Sequence, residues 1–466
     1  MDKNKIQYHY ILYDMISAIF VWIVFFVVRK TINDINIFEN FHFVIPFYNY
    51  LGSFFLFPFT CVFGHFLTGF YINTIKKARL NIIFNTISSS AIISISIFFA
   101  LKLTDVFISA EYFYYSLLLF FGLLFCFTFI FRNFIYLKIQ NNFKTNKWST
   151  NTLIVGTGNN ALKIENELTK NPLKSTFCGF VSVDKTLSVS KDKIAGSFQQ
   201  IENIIEKYNV DEVIIALDNP DELKLFGYIN TLFKFNIDIS FTPRLYEILT
   251  GSARIGNTGI QPIVSLTDVH MPNWQIACKR LFDIVFSVIM LVLLTPVFIY
   301  FSIAIKRDSP GPVFYKQERI GRYGKPFNIL KFRTMYVDSE NGTPKLSSAN
   351  DERVTEVGRI LRKYRFDELP QFWNILKGEM SLVGPRPERK FYINQIIEEA
   401  PYYCLLYKIR PGLTSWGPIK IGYSDTIEKM IERLNYDIIY IESMTLFNDF
   451  KIIILTLEIL FKGKGV

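Results

Sequence analysis

Lys279-Arg-Leu-Phe-Asp-Ile-Val-Phe-Ser-Val-Ile-Met-Leu-Val-Leu-Leu-Thr-Pro-Val-Phe-Ile-Tyr-Phe-Ser-Ile-Ala-Ile-Lys-Arg307 is an apolar run closed at each end by a basic pair. Crossing the hydrocarbon core takes about 20 apolar residues of helix, and Leu281–Ile305 is long enough. Two features oppose a simple crossing. Basic residues stay on the cytoplasmic side, and here Lys279-Arg280 and Lys306-Arg307 leave neither end free to face outward. Thr295-Pro296 interrupts the run, because proline lacks a donor, clashes with the preceding turn and disfavours helix one residue earlier. A helix broken there, with both ends cytoplasmic, enters one leaflet and returns. The alternative is a kinked spanning helix, which proline permits where neighbours re-satisfy the backbone. Flank symmetry favours a re-entrant helix over about 281–305.

Upstream, four apolar stretches, about 11–28, 50–71, 80–101 and 113–137, each reach spanning length. The first is too long for a signal-peptide core and has no A-x-A cleavage site, so it reads as an anchor. Lys3 and Lys5, then Lys76, Lys77 and Arg79, then Lys138, Lys144 and Lys147 mark the cytoplasmic loops. Asp34, Glu39, Asp105 and Glu111 dominate the other two, with Arg29, Lys30 and Lys102 at their edges. Residues 1–147 are therefore expected to form a four-helix transmembrane bundle with both ends inside; a buried, all-helical soluble domain is the alternative.

The texture changes near Trp148. Thr152-Leu-Ile-Val-Gly-Thr-Gly-Asn-Asn-Ala161 reads as a strand, a glycine turn and a helix start. Short apolar strands at Phe177–Val183, Glu212–Leu217 and Ile237–Phe241 alternate with helical patterns, which predicts a Rossmann-like parallel α/β domain over 148–265. Gly156, Gly158 and Ala161 form G-x-G-x-x-A, a turn that can seat a dinucleotide pyrophosphate on a helix N-terminus, with Asp184 near the place of a ribose-binding acid. The same glycines serve any tight strand-to-helix turn, so a bound dinucleotide and an empty regulatory fold both remain open.

Composition narrows the class. Half of the 466 residues are hydrophobic and 47 are Phe, which points to lipid contact and excludes disorder. The net charge of +10 divides into +6 over residues 1–149, −2 over 150–267 and +6 over 268–466. Basic ends could attract nucleic acid or an anionic membrane; the adjoining apolar runs favour the membrane and argue against nucleic acid. Five scattered cysteines with no CxxC give neither a disulfide framework nor a zinc site, and four His residues show no ligand spacing. Any metal should then be a hard ion held by oxygen.

Residues 266–466 carry dense basic runs punctuated by Pro and Gly: Ser309–Gly321, Ile329–Met335, Arg362–Asn374, Met380–Glu388 and Lys408–Thr414. Asp367-Glu368-Leu-Pro370 looks like a helix opening, with Asp367 as N-cap and Pro370 in the first turn, where its missing donor costs nothing. Adjacent helical residues point about 100° apart, so this pair is not a facing glycosidase dyad. A helix N-terminus favours a carboxylate and a nearby phosphate, and arginine forks suit phosphate oxygens. Lys331, Arg333, Arg362, Arg386 and Arg410 around a carboxylate pair suggest a diphosphate site with a divalent ion. Any one of them alone would be an ordinary surface charge.

Together, Lys279-Arg-Leu-Phe-Asp283, the Pro-broken segment, Lys331-Phe-Arg-Thr-Met335, Asp367-Glu-Leu-Pro370, Gly384-Pro-Arg-Pro387, Arg410-Pro-Gly412 and Tyr436-Asp437 resemble the bacterial sugar transferases, the monotopic phosphoglycosyl transferases. The match covers about 275–466, and the preceding spans and Rossmann-like middle resemble the family's large form. The resemblance implies a mixed, mainly α-helical monotopic catalytic domain. In it Asp367 is the nucleophile and Glu368 its dyad partner at Mg²⁺ or Mn²⁺. Lys331, Arg362, Arg386, Arg410 and Asp437 fall on other active-site positions, and Thr295-Pro296 on the helix break. One departure is Ser415 in Leu413-Thr-Ser-Trp416, where many members carry Gly.

The implied partners are a UDP-sugar, polyprenyl phosphate and membrane lipids, with a homodimer as a candidate assembly. The implied place is the bacterial inner membrane, with the catalytic and Rossmann-like domains cytoplasmic. Two rival readings stand beside it. A membrane-anchored NAD-dependent nucleotide-sugar dehydratase or epimerase needs a Tyr-x-x-x-Lys pair, and none of the 25 tyrosines has Lys four residues on. A non-catalytic assembly scaffold leaves the C-terminal motifs without a purpose.

Overall fold

The computed structural model describes residues 3–32, 47–72, 74, 77–103, 110–145, 148–170, 175–183, 188–218, 221–235, 237–242, 254–255, 262–266, 271–337, 351–422 and 426–461. The chain forms two compact units, Met1–Ser149 with Pro272–Cys278, and Thr150–Met271 with Lys279–Val466.

Among the described residues, Met1–Ser149 of the first unit contains α1 (Lys3–Ile32), α2 (Phe47–Leu67), α3 (Arg79–Leu103) and α4 (Ala110–Lys144). Stretches Lys5–Phe25, Arg79–Phe99 and Phe113–Phe143 are long and apolar enough to cross a membrane. The expected span at 50–71 forms α2, but its apolar part among the described side chains, Leu56–Leu67, is too short to cross alone. Phe84, Ile95, Phe99, Leu118 and Ile130 face outward, whereas Asp14, Ser17, Thr86 and Arg132 are fully buried. This polarity is the inverse of a water-soluble bundle. Hydrocarbon accepts apolar side chains outside, and charged groups in such a setting face the bundle interior and pair with one another. Arg132 does so: Nε donates to Asp14 Oδ1 at 2.9 Å, Nη2 to Asp14 Oδ2 at 2.7 Å and Nη1 to Thr86 Oγ1 at 3.0 Å. Tyr71 donates to Asp14 Oδ2 at 2.8 Å, and the Arg132 guanidinium lies 3.5 Å from the Phe70 ring centre.

In the second unit, β1 (Thr150–Val155), α5 (Asn159–Lys170), β2 (Ser175–Ser182), β3 (Ile194–Ser197), α6 (Ile201–Tyr208), β4 (Glu212–Ile215), α7 (Glu222–Leu232), β5 (Asp238–Phe241), β6 (Arg254–Ile255) and β7 (Pro262–Ser265) build the α/β domain. The sheet order is β3-β2-β1-β4-β5-β7-β6, parallel as far as β5 and antiparallel beyond it. Leu153, Val213 and Ile239 stand in one row of the register. They join the core that α6 and α7 cover, while Ile154 and Ile214 turn to the other face beneath Ala161, Ile164 and Leu168 of α5. Helices on both faces explain why β1 reads Leu-Ile-Val without a polar alternate. Asp184 lies outside the described residues.

The broken segment forms α8 (Asn273–Leu293) and α9 (Thr295–Asp308), bent by 59° at Leu294. Pro296 falls in the first turn of α9, where no intrahelical donor is needed, and Thr295 Oγ1 donates back to Leu291 O at 2.9 Å. Val292, Leu293, Ile299 and Tyr300 around the bend are exposed. The polar foot of α8 is tied down within the second unit. Arg280 donates to Ile375 O and Leu376 O, and Asp283 accepts the Leu382 amide at 3.0 Å. Lys279 meets Asp449 at 2.6 Å.

The rest comprises the hairpin β8 (Phe314–Ile320) and β9 (Pro326–Phe332), then α10 (Glu356–Lys363), α11 (Gln371–Lys377), β10 (Ser381–Val383), α12 (Lys390–Glu399), β11 (Gly412–Thr414), α13 (Trp416–Ile421), α14 (Ile427–Glu442) and α15 (Leu446–Phe461). β10 and β11 pair in parallel, and a Cβ on Gly412 would meet the Gly384 backbone, so their ends approach as only glycine allows. A 3₁₀ helix at Pro401–Lys408 packs on the α/β domain: Asn230 Nδ2 donates to Pro401 O at 2.8 Å, and Cys404 enters the same core as Ile229 and Leu232. The α/β domain and the C-terminal region thus share one compact unit, although they read as separate domains in sequence.

Candidate active site

Asp367 and Glu368 sit in a 3₁₀ turn, Phe366–Glu368, immediately ahead of α11. Arg365 starts that turn in the left-handed conformation, with φ of 55°. Asp367 is not the helix N-cap expected from sequence. The cap of α11 is Pro370, because the i→i+3 bonds from Glu368 to Arg365 and from Leu369 to Phe366 have already wound the chain before the α-helix begins. Both residues are buried, each 8% exposed.

Three elements bring cations to them. β9 carries Lys331, whose Nζ lies 3.3 Å from Glu368 Oε1 and 3.9 Å from Asp367 Oδ2. The loop after β10 carries Arg386, which donates to Glu368 Oε1 at 3.1 Å. α10 carries Arg362, held by a bond from Nε to Thr334 Oγ1 at 2.9 Å. Thr355 caps α10 by accepting the Gly358 amide at 3.0 Å, which fixes where that helix starts. Asn374 of α11 pins β9: Oδ1 accepts the Leu330 amide and Nδ2 donates to Asn328 O. One side chain therefore sets the strand bearing Lys331 against the helix that follows the pair.

The two carboxyls titrate in opposite directions. Burial alone would raise Glu368, but Arg386, Lys331 and Arg365 outweigh it and hold this carboxyl well below the ordinary carboxylate range. Burial raises Asp367; Lys331 opposes it, the neighbouring Glu368 charge adds to it, and the result lies above the ordinary range. Among the described residues no side-chain hydrogen bond reaches the Asp367 carboxyl. One carboxylate is thus locked as an anion, and the other keeps its lone pairs for a ligand.

Not every predicted cation joins this cluster. Arg333 donates to Pro310 O, Ser309 O and Ile305 O, so it closes the C-terminal end of α9 and spends its forks on carbonyls. Arg410 donates from Nε to Gly378 O at 2.8 Å, beside the C-terminal end of α11. Burial and the nearby Arg322 and Arg280 push its pKa down to about 10. Asp437, buried on α14, is pushed up to about 6 by burial, against Arg433, the Ser415 hydroxyl and the Gly417 and Arg386 amides. It therefore reaches the pair indirectly, through the loop carrying Arg386. Thr295 and Pro296 lie at the bend, as described.

Sequence reasoning missed two groups. Arg365 lies 3.9 Å from Glu368, at a position where its backbone conformation, not its residue type, aims it. Glu388 joins Arg319 at 3.2 Å to Arg433 on α14, bracing the segment two residues beyond Arg386. The Pro-Glu that ends Gly384–Glu388 was the available signal for Glu388. Among the described residues no three His, Cys, Asp or Glu side chains converge as a metal-binding group. Two neighbouring carboxylates, one without a hydrogen bond, nevertheless suit Mg²⁺, which keeps several waters and takes one or two carboxylates plus substrate phosphates.

Comparison with known proteins agrees with this architecture. The family described as bacterial sugar transferase matches residues 274–463, and one described as a CoA-binding domain matches 66–243. A UDP-glucose:undecaprenyl-phosphate glucose-1-phosphate transferase of Klebsiella pneumoniae is 35% identical over 271 residues, 58% of each chain. A UDP-N-acetylgalactosamine-undecaprenyl-phosphate N-acetylgalactosaminephosphotransferase of Aeromonas hydrophila is 36% identical over 49% of this chain and 54% of its own. An uncharacterized sugar transferase of Haemophilus influenzae is 31% identical over 67% of this chain and 69% of its own. Three described helices long and apolar enough to cross a membrane mark this as a membrane protein. The chain belongs to the bacterial sugar transferase family. It spans somewhat over half the length of the first two of these relatives.

Proposed function

We propose that this protein transfers a hexose-1-phosphate from a UDP-sugar to polyprenyl phosphate, releasing UMP and starting the assembly of a cell-surface glycan. The observation that carries this reading is the buried Asp367-Glu368 pair, oppositely biased and ringed by Lys331, Arg362, Arg365 and Arg386. A carboxylate nucleophile divides one hard displacement into two easier ones. An Asp367 oxygen attacks the sugar-bearing phosphorus, the bond from that phosphorus to the bridging oxygen breaks, and UMP leaves with the electron pair. A phosphate oxygen of the polyprenyl acceptor then attacks the same phosphorus, and the bond to Asp367 breaks to restore the carboxylate. The surrounding cations offset charge on the phosphoryl oxygens as it is transferred. Glu368 and Asp367 are the groups that would hold Mg²⁺ or Mn²⁺, which supplies further charge neutralisation on the phosphates.

The bent α8–α9 pair, with its exposed apolar bend and basic ends, supports a re-entrant helix in the cytoplasmic leaflet of the inner membrane. That position would serve a lipid-borne acceptor and a water-soluble donor together. Incubating the purified chain with labelled UDP-sugar, polyprenyl phosphate and Mg²⁺ tests the reading. UMP and a lipid-linked sugar phosphate are expected; release of UDP would sink it.

The pKa directions add a prediction. Below its own pKa, Asp367 is protonated and cannot attack, so turnover falls as the pH drops through that value. The raised pKa puts this acid limb above the ordinary carboxylate range. Glu368→Gln removes the neighbouring negative charge, so the limb of the residual activity moves to lower pH; Lys331→Met moves it higher. A pH–rate profile of the three proteins checks both signs, and a limb that stays fixed in both variants would contradict the assignment to Asp367.

A further inference from the structure

The CoA-binding description of residues 66–243, like the G-x-G-x-x-A turn, implies a nucleotide diphosphate on the α/β domain. In a doubly wound sheet such a ligand sits at the carboxyl ends of the strands, where the strand order reverses, with its phosphates on the amides that open a helix. Here that point lies between β1 and β4. The seat is already filled. Asp218, from the segment after β4, accepts the Asn159 amide on Oδ2 at 2.9 Å and the Asn160 amide on Oδ1 at 2.8 Å. Its two oxygens stand on the first amides of α5, where two phosphate oxygens would stand. Asn160 Nδ2 also donates to Leu217 O at 3.1 Å, which binds the same segment to the helix.

The glycines serve this arrangement. A Cβ on Gly158 would run into the Asp218 carboxylate. Gly156, with φ of +130°, passes so close to Ala216 O that a Cβ there would meet it. The spacing that suggests a dinucleotide is therefore satisfied by the chain itself, with the β4 segment in the phosphate position.

We infer that Asp218 is a built-in anion that closes the phosphate seat of the α/β domain, so that neither a dinucleotide nor CoA docks its diphosphate on this turn. A diphosphate would have to displace both amide bonds and lie against a like charge. This inference is independent of the transferase reading, because its readout is ligand binding and not turnover.

Equilibrium dialysis of the full chain in detergent with labelled CoA, NAD⁺ and inorganic pyrophosphate tests it. The unmodified protein is expected to retain no CoA or NAD⁺ at millimolar concentration and to hold pyrophosphate only at the Asp367-Glu368 cation cluster, a background the Asp218 variants share. Asp218→Ala, which empties the seat, is expected to gain at least about tenfold in pyrophosphate affinity, since the freed amides point at the ligand. Asp218→Asn keeps a capping oxygen if the alanine variant does not fold, and is expected to gain less. Saturable binding of CoA or NAD⁺ to the unmodified protein, lost on Gly158→Ala, would overturn the inference. So would a folded Asp218→Ala protein that takes pyrophosphate no better than the original.

Discussion

Asp367→Asn is expected to lower UMP release on the order of a thousandfold or more, with the protein still folded. Loss of a covalent nucleophile leaves only the contribution of binding and electrostatics, and that residue is small in enzymes whose groups act as a unit. Asn has the same shape as Asp and is neutral, so the substrate still meets Lys331, Arg362 and Arg386. The stability outcome distinguishes this variant from simple damage. Among the described residues the Asp367 carboxyl accepts no side-chain hydrogen bond, while burial and the Glu368 charge both oppose its ionisation. Neutralising it gives up the 3.9 Å ion pair with Lys331 but relieves the burial of a charge and the repulsion from Glu368, so thermal unfolding in detergent should hold nearly steady. Turnover within tenfold of the original would remove Asp367 from the chemistry. A fall in activity matched by loss of fold would make its role structural.

Asp14→Ala with Arg132 left in place is expected to destabilise the helical unit by about 3–5 kcal/mol, the range for stranding a buried charge. Arg132 is fully buried, and among the described residues two of its three side-chain hydrogen bonds go to Asp14. Tyr71 would lose its acceptor in the same step. Replacing both partners, Asp14→Leu with Arg132→Met, should recover most of the loss, because a buried ion pair and an apolar pair of similar volume are often equivalent in energy. Thermal unfolding of the two variants in one detergent gives the comparison. A single variant within about 1 kcal/mol of the original would mean that the pair is hydrated or loosely held.

Much of this architecture is legible in the sequence, and the parts that are not share a cause. Local signals carried through. The Thr295-Pro296 break is written in proline's covalent geometry, and the bend falls beside it. The strand patterns at Phe177–Val183, Glu212–Leu217 and Ile237–Phe241 correspond to β2, β4 and β5, because strands covered by helices on both faces are rich in apolar residues.

What sequence does not disclose is the partner that arrives from far away. Arg333 and Arg386 look alike in their motifs, yet one meets the carbonyls that end α9 and the other meets Glu368. The glycine turn has dinucleotide spacing, but the residue that fills it is Asp218, about sixty positions on. Asp14 finds Arg132 from 118 positions away in the chain. Asp367 reads as an N-cap by residue type, and the left-handed Arg365 displaces that role to Pro370. Residue types establish which chemistry is available; tertiary pairing decides which copy of a residue performs it.

The central claim is a covalent sugar-phosphoryl intermediate on Asp367. Intact-mass measurement after mixing the protein with UDP-sugar and Mg²⁺, with no lipid acceptor, addresses it directly. The expected result is a mass gain of one sugar phosphate on the peptide containing Asp367, with one equivalent of UMP released, and discharge of that mass when polyprenyl phosphate is added. Full turnover with no mass gain at any time, or the adduct on a peptide lacking Asp367, would contradict the mechanism.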